Sequence, residues 1–317
     1  MAGLRLVFFG TPEFAVPSLE ALADAGRAPL LVVSQPSRPA GRGKALKDPP
    51  VAEAARRLGL PLRQIEDVRD EQFLQELEQL RPDLAVVVAF GQIFRQRLLA
   101  LPRHGCFNLH ASLLPKYRGA APIQAAVAAG EKITGVSVQQ MTRGLDAGPL
   151  LGSAELAIGE HETAEELFPR LAALGAGLLV ETVGLLERGE LTPQPQDESL
   201  VSLAPRYERQ HGFVDFSLPA GAIYDRWRGL SPWPGLTTEL GGAPLKIVVC
   251  RPLPGATDSP PGTLLGLADG ALAISCGGGT ILGVLRVQRP NRPAIGAADL
   301  WNGEHLAGGE RFSLPAA

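Results

Sequence analysis

The chain has 317 residues, 45% of them apolar, with a formal net charge of −3. That length suits about two domains with a sizeable core, and the charge argues against a partner bound through bulk positive charge. No apolar run approaches the roughly 20 residues of a membrane-spanning helix, and the opening MAGLRLVFFGTPEF meets a Gly-Thr-Pro turn instead of a secretory pattern, so a cytoplasmic protein is expected.

In chain order, LRLVFFG (4–10) reads as a buried strand, FAVPSLEALADAG (14–26) as a helix and PLLVVSQ (29–35) as a second strand. A helix over PPVAEAARRLG (49–59), a short strand LPLRQI (60–65), a helix DEQFLQELEQL (70–80) and a buried strand DLAVVVAFG (83–91) follow. After a helical patch near 93–100 come the strand GCFNLHA (105–111), a helix at 122–129, and the strands GVSVQQM (135–141) and LLGSAELAI (150–158). A long helix at 163–189 closes this section, with Pro169 either kinking it or marking its first turn. The alternation predicts an α/β doubly wound, mostly parallel sheet with an antiparallel pair at its end.

The character then changes. Residues 191–205 are rich in proline and polar side chains and read as a linker between a domain at 1–190 and a smaller one at 206–317. Short β-like runs at 245–250, 262–268, 271–276 and 280–288, separated by Gly and Pro clusters, predict a small barrel or sandwich. Helical pieces fall near 219–229 and 296–302.

Chemistry concentrates where Asn108 and His110 alternate on one strand. Residues two apart face the same way, and ligands of open α/β sheets bind beyond the carboxyl ends of strands. The pair is either a site or a satisfied polar pair under a loop. Asp146 lies between Gly144 and Gly148 in MTRGLDAGP, as a turn residue or as a third member. An Asn amide donates to a carbonyl oxygen gaining charge, a His moves protons, and an Asp orients and stabilises the imidazolium. No G-x-S-x-G is present, which favours direct attack by a substrate amine over an acyl-enzyme. The turn GTPEF (10–14) lacks the dinucleotide glycines, so no nicotinamide or flavin is expected. Three scattered cysteines and five histidines form no metal or disulfide pattern; Cys106 reads as a small core residue. The stretch QPSRPAGRGKALK (35–47) carries Arg38, Arg42, Lys44 and Lys47, with prolines and glycines expected to keep it out of regular structure. It is either a solvated loop or the mouth of a site for a phosphate-bearing substrate.

NLHASLLPKYRGAAPI (108–123) and GLDAG (144–148) resemble the two signature motifs of the 10-formyltetrahydrofolate-dependent formyltransferases. GTPEFA, QPSRPAGRGKAL, AFGQI, DESLVSLAP and SPWPG are similar to the branch that acts on methionyl initiator tRNA, and together they cover nearly the whole chain. The resemblance implies an OB-like second domain. It implies formyl transfer from 10-formyltetrahydrofolate to the methionine amine of that tRNA by a monomer away from membranes, without a metal. It also implies Asn108, His110 and Asp146 as catalytic residues. Ser112, Leu113, Leu114, Pro115, Phe90 and Gly91 would bind the folate, and Arg38, Arg42, Lys44 and Lys47 the tRNA. APRYERQHGFVDF (204–216) departs from the family's lysine-rich segment, with Phe216 in place of its tryptophan, and QRPNRP (288–293) loses a basic residue. The rival expectation is a formyltransferase for a small amine such as an amino sugar nucleotide, which would not require the basic stretch.

Overall fold

The computed structural model describes residues 3–40 and 45–314. The chain forms two compact units, one comprising Met1–Pro122, Ile133–Ala157 and Leu167–Pro205, the other Ile123–Lys132, Ile158–Glu166 and Arg206–Ala317.

The elements of the first section are β1 (Leu6–Gly10), α1 (Val16–Asp24), β2 (Leu31–Ser34), β3 (Arg38–Ala40), β4 (Ala45–Lys47), α2 (Pro50–Arg57), β5 (Leu62–Gln64), α3 (Glu71–Leu80) and β6 (Leu84–Val88). They continue with α4 (Gln96–Ala100), β7 (Cys106–His110), β8 (Arg118–Gly119), α5 (Pro122–Ala128), β9 (Ile133–Gln140), β10 (Leu150–Ala157), α6 (Ala164–Arg188) and β11 (Leu203–Ala204). The main sheet runs β10-β9-β7-β6-β1-β2-β5. β5, β2, β1, β6 and β7 are parallel, and β9 and β10 complete the edge in antiparallel fashion. Parallel strands covered on both faces need apolar side chains on both. Accordingly LVFFG of β1 and LAVVV of β6 are buried throughout. Val7 and Phe9 join Phe73, Leu77 and Phe94 in one core. Phe9 meets Phe90 and Phe94 edge-on at centroid distances of 5.4 and 5.0 Å.

Two expectations change. Parts of the basic stretch are regular: Arg38–Ala40 (β3) and Ala45–Lys47 (β4) pair antiparallel, with Arg38 opposite Lys47, while residues 41–44 between them lie outside the described residues. Ladder bonds are made by backbone groups, so Pro39 is tolerated on a short strand with no further neighbour. Second, α6 spans 25 residues and is apolar enough to cross a membrane by length and composition. Within the first unit its Leu167, Leu171, Ala172, Ala176, Leu179 and Val183 are buried at helical spacing, the stripe of a core-facing helix. Pro169 sits inside this helix, which continues past it. A Cβ on Gly175 would fall 2.7 Å from Leu109, so this glycine lets α6 approach β7 closely.

The second unit adds α7 (Ala220–Leu230), β12 (Leu236–Leu240), β13 (Ala243–Leu253), β14 (Leu264–Ala268), β15 (Ala271–Ser275), β16 (Ile281–Gln288), β17 (Ile295–Gly296), α8 (Ala297–Gly303) and β18 (Phe312–Ser313). The sheet order is β14-β15-β16-β13-β12-β18, all antiparallel, with β17 on β16. Its ends meet: Phe312 N donates to Gly262 O and Leu264 N to Glu310 O, both at 2.8 Å, so the sheet curls back on itself as a barrel requires. Phe216 is buried here beside Phe312 at 5.9 Å, so a phenylalanine fills this core position.

Candidate active site

The site begins with the pairing of β7 and β9, in which Asn108 lies opposite Gln139 and His110 opposite Ser137. Directly opposed residues project from the same face. Four polar side chains therefore share one face, while Leu109 points to the other, toward α6. The two on β9 act as anchors. Ser137 Oγ donates to Ser112 O at 2.8 Å and accepts from Leu114 N at 3.1 Å, which pins the loop after β7. Gln139 Nε2 donates to Asp146 Oδ1 at 2.9 Å and its Oε1 accepts from Gly148 N at 3.2 Å, which pins the loop after β9. Neither residue figured among the expected site residues. The available signal was their alternation as polar members of the apolar strand GVSVQQ.

These loops bring His110 and Asp146 together. His110 Nδ1 lies 3.7 Å from Asp146 Oδ2, with the two side chains only 7% and 15% exposed. That gap is too long for a hydrogen bond but short for charge–charge interaction. The ring is oriented instead by Tyr117, whose carbonyl lies 2.9 Å from His110 Nε2. A carbonyl only accepts, so Nε2 carries a hydrogen and Nδ1 remains the nitrogen free for other work. Asp146 is held from a second side by Gly119 N, which donates to Oδ2 at 2.9 Å. Its backbone takes the left-handed φ of +46°, a conformation aspartate tolerates better than most residues. Gly119 has φ +126°, and a Cβ there would sit 2.6 Å from Ala204 O, so only glycine presents this N–H to the carboxylate. Asn108 is half-buried beside the pair on the same strand face.

The other expected residues fall on neighbouring loops. Ser112 is fully buried and its hydroxyl donates to Lys116 O at 2.6 Å, so it shapes the loop from within. Leu113 is half-buried, Leu114 is buried, and the Leu114–Pro115 peptide is cis. Phe90 is 2% exposed; its carbonyl accepts from Gln35 Nε2 at 2.8 Å and from Thr11 Oγ1 at 3.4 Å, tying the loops after β1, β2 and β6. Gly91 follows at φ +81°. The loop after β9 is linked to the start of α4, where the loop after β6 ends, by Arg143 Nε, which donates to Gln96 Oε1 at 2.9 Å. Each of these two loops exposes a large apolar side chain, Ile93 at 87% and Leu145 at 66%. Arg38 and Lys47 are exposed on the hairpin, whereas Arg42 and Lys44 lie outside the described residues. Cys106 is 1% exposed and burial pushes its thiol up to about 12, which removes it as a nucleophile. Among the described residues no cluster of three or more His, Cys, Asp or Glu is placed to hold a metal ion.

A doubly wound sheet with polar residues on β7 and an acid on the loop after β9 defines a class. The family described as "Formyl transferase" matches residues 4–183, and "Formyl transferase, C-terminal domain" matches residues 206–305. The chain belongs to this formyl transferase family. Within it, a protein of Anaeromyxobacter dehalogenans named methionyl-tRNA formyltransferase is 49% identical over 95% of this chain and 97% of its own length. A protein of the same name from Acidobacterium capsulatum is 47% identical over 96% and 98%. Among solved structures, the N-formyltransferase of Helicobacter canadensis with folinic acid and dTDP-3-aminofucose matches with a TM-score of 0.67. It covers 89% of this chain and 98% of its own at 16% identity, a likeness of fold.

Proposed function

We propose that the chain transfers the formyl group of 10-formyltetrahydrofolate to the α-amino group of methionine on initiator tRNA, giving formylmethionyl-tRNA for translation initiation. The observation that carries this reading is the Asn108–His110–Asp146 constellation in a chain similar over nearly its whole length to methionyl-tRNA formyltransferases. The methionine nitrogen attacks the formyl carbon. A C–N bond forms while the carbonyl electron pair moves onto oxygen. The Asn108 amide donates to that oxygen, and a protonated His110 places its Nδ1–H and charge beside it. Asp146 stabilises the imidazolium and accepts the proton that the attacking nitrogen loses. The tetrahedral centre collapses, the bond to the donor's N10 breaks, and N10 takes the proton, leaving tetrahydrofolate.

The apolar surface of Ile93 and Leu145 at the same edge fits a flat aromatic donor ring, with Leu113–Pro115 alongside. Arg38 and Lys47 on the hairpin, and exposed Arg206, Arg209 and Arg292 in the second unit, supply charge for tRNA phosphates. Arg289 is not available for that role. It donates to Glu304 at 2.6 Å and to Ala243 O at 2.8 Å. A monomer working in the cytoplasm, where translation takes place, completes the reading.

The test is formyl transfer by the purified protein to methionyl-initiator tRNA against methionyl-elongator tRNA. Activity on the initiator alone supports it. Inactivity on both, with the folate still bound and a small amine formylated, overturns it.

A further inference from the structure

The segment between Gln194 and Ala204 looks in sequence like a spacer, yet it fastens both loops of the candidate site. Gln194 exchanges backbone hydrogen bonds with Leu150 at 2.7 and 2.8 Å. Gln196 Nε2 donates to Asp146 O at 2.8 Å and to Gly148 O at 2.7 Å. Gln196 Oε1 accepts from Arg118 Nη2 at 2.8 Å and Nε at 3.2 Å. Ser202 Oγ accepts from Tyr117 N at 2.9 Å, and Ser202 O from Arg118 N at 2.9 Å. Tyr117 is the residue whose carbonyl orients His110, and the next residue after Arg118 donates to Asp146.

The direction of the Gln196 amide follows from chemistry. Arg118 is 6% exposed and has only donors, so it must face the amide oxygen. That turns both N–H groups toward the two carbonyls of the Asp146 loop. Glu198 holds the other side of Arg118 at 2.7 Å. Gln196 itself is half-buried with exposed neighbours on either side, and it bonds Gln139, Asp146, Gly148 and Arg118, all within the site's own scaffold. Asp146 is in the left-handed conformation, and its carbonyl accepts from the Gln196 side chain.

We propose that Gln196 is a positioning residue for formyl transfer, holding the Asp146 loop in register with His110 through Arg118; this rests on the catalytic reading given above. A carboxylate displaced by about an ångström from its place beside the imidazole costs on the order of 10²-fold in rate. Gln196 bonds the loop carbonyls and Arg118 and is not placed to touch either substrate, so the loss belongs to kcat and leaves substrate KM in place.

The experiment compares wild type, Gln196→Ala, Gln196→Glu, Asp146→Ala and the double variant Gln196→Ala/Asp146→Ala in single-turnover formylation, with thermal unfolding alongside. Gln196→Glu keeps the shape and the acceptor for Arg118 but sets an oxygen against the two carbonyls. Both Gln196 variants are expected to lower kcat roughly 10- to 100-fold, with KM for folate and tRNA unchanged. In the Asp146→Ala background Gln196→Ala is expected to add no further loss, because its effect passes through Asp146. An inactive Asp146→Ala beside Gln196 variants of wild-type kcat overturns the proposal. Equal losses from Gln196→Ala in both backgrounds overturn it too. Wild-type activity of Asp146→Ala overturns the catalytic reading beneath it, a result distinct from either.

Discussion

His110 spends Nε2 on the Tyr117 carbonyl and turns Nδ1 toward a carboxylate that is itself held by two donors. His110 and Asp146 are thus each held by groups that do not react, which is what preorganisation requires. Replacing Asn108, His110 or Asp146 with Ala is expected to cost roughly 10²–10⁴-fold in formyl transfer with the fold retained by circular dichroism. Wild-type rates for any of them remove that residue from the chemistry. Gly119→Ala is expected to destabilise the protein by about 1–3 kcal/mol in urea unfolding, because its φ and the neighbouring Ala204 carbonyl leave no room for a side chain. It should also lower activity by withdrawing the N–H from Asp146. The alternation of Asn108 and His110 was readable from the strand pattern, and Asp146 from its glycine-flanked loop. Ser137 and Gln139 were not, because a polar residue in a buried strand announces only that it has a partner, and the partners arrive from loops distant in sequence.

At the scale of elements, the carboxyl edge of the sheet gathers the loops after β1, β2 and β6, and the loop after β9 folds back to deliver Asp146 to the strand face. The paired strands β3 and β4 give Arg38 and Lys47 defined backbone positions, following directly on the loop after β2. Their pairing escaped the sequence reading because ladder bonds need no particular side chain and the segment's Pro and Gly content argued against a strand. If its cations meet phosphate, the double variant Arg38→Ala/Lys47→Ala should weaken tRNA binding and reduce the slope of log K against log salt by about one to two, with folate affinity unchanged. An unchanged slope would place those charges away from the tRNA.

For the whole molecule, the second unit gathers segments from both halves of the chain. Its α7 presents Arg228, 1% exposed, to Asp225 at 2.5 Å and to the carbonyl of Glu162 at 2.8 Å, with the guanidinium 5.6 Å from the Tyr224 ring centre. Arg228→Ala strands these groups and is expected to destabilise the second unit by about 3 kcal/mol, read as a lowered unfolding midpoint. Cysteines in both units are buried, and burial pushes the thiols of Cys106 and Cys276 up to about 12 and about 11, and that of Cys250 upward as well, from an ordinary 9.0. A thiol whose folded pKa is raised favours the fold fully below its unfolded value, and that contribution is lost as pH climbs through the folded value. Urea midpoints should therefore fall between about pH 9 and about pH 12, less steeply in Cys106→Ala. Thiol reagents at about pH 8 should label the unfolded chain and spare the native one.

The class of fold and the proposed trio Asn108, His110 and Asp146 were available in the linear chain. Apolar runs with helical segments between them leave few ways to bury a core, and strand parity decides which side chains share a face. What only the tertiary structure decided is how the trio is held. Tyr117 rather than Asp146 orients the imidazole, Ser137 and Gln139 anchor the loops, and Arg118 aims Gln196 from a segment that composition alone marks as a spacer. The physical reason is that patterning follows burial, which is local and periodic. Polar anchoring follows hydrogen-bond geometry between groups far apart in sequence, and such geometry exists only once the backbone has brought them within 3 Å or so of one another.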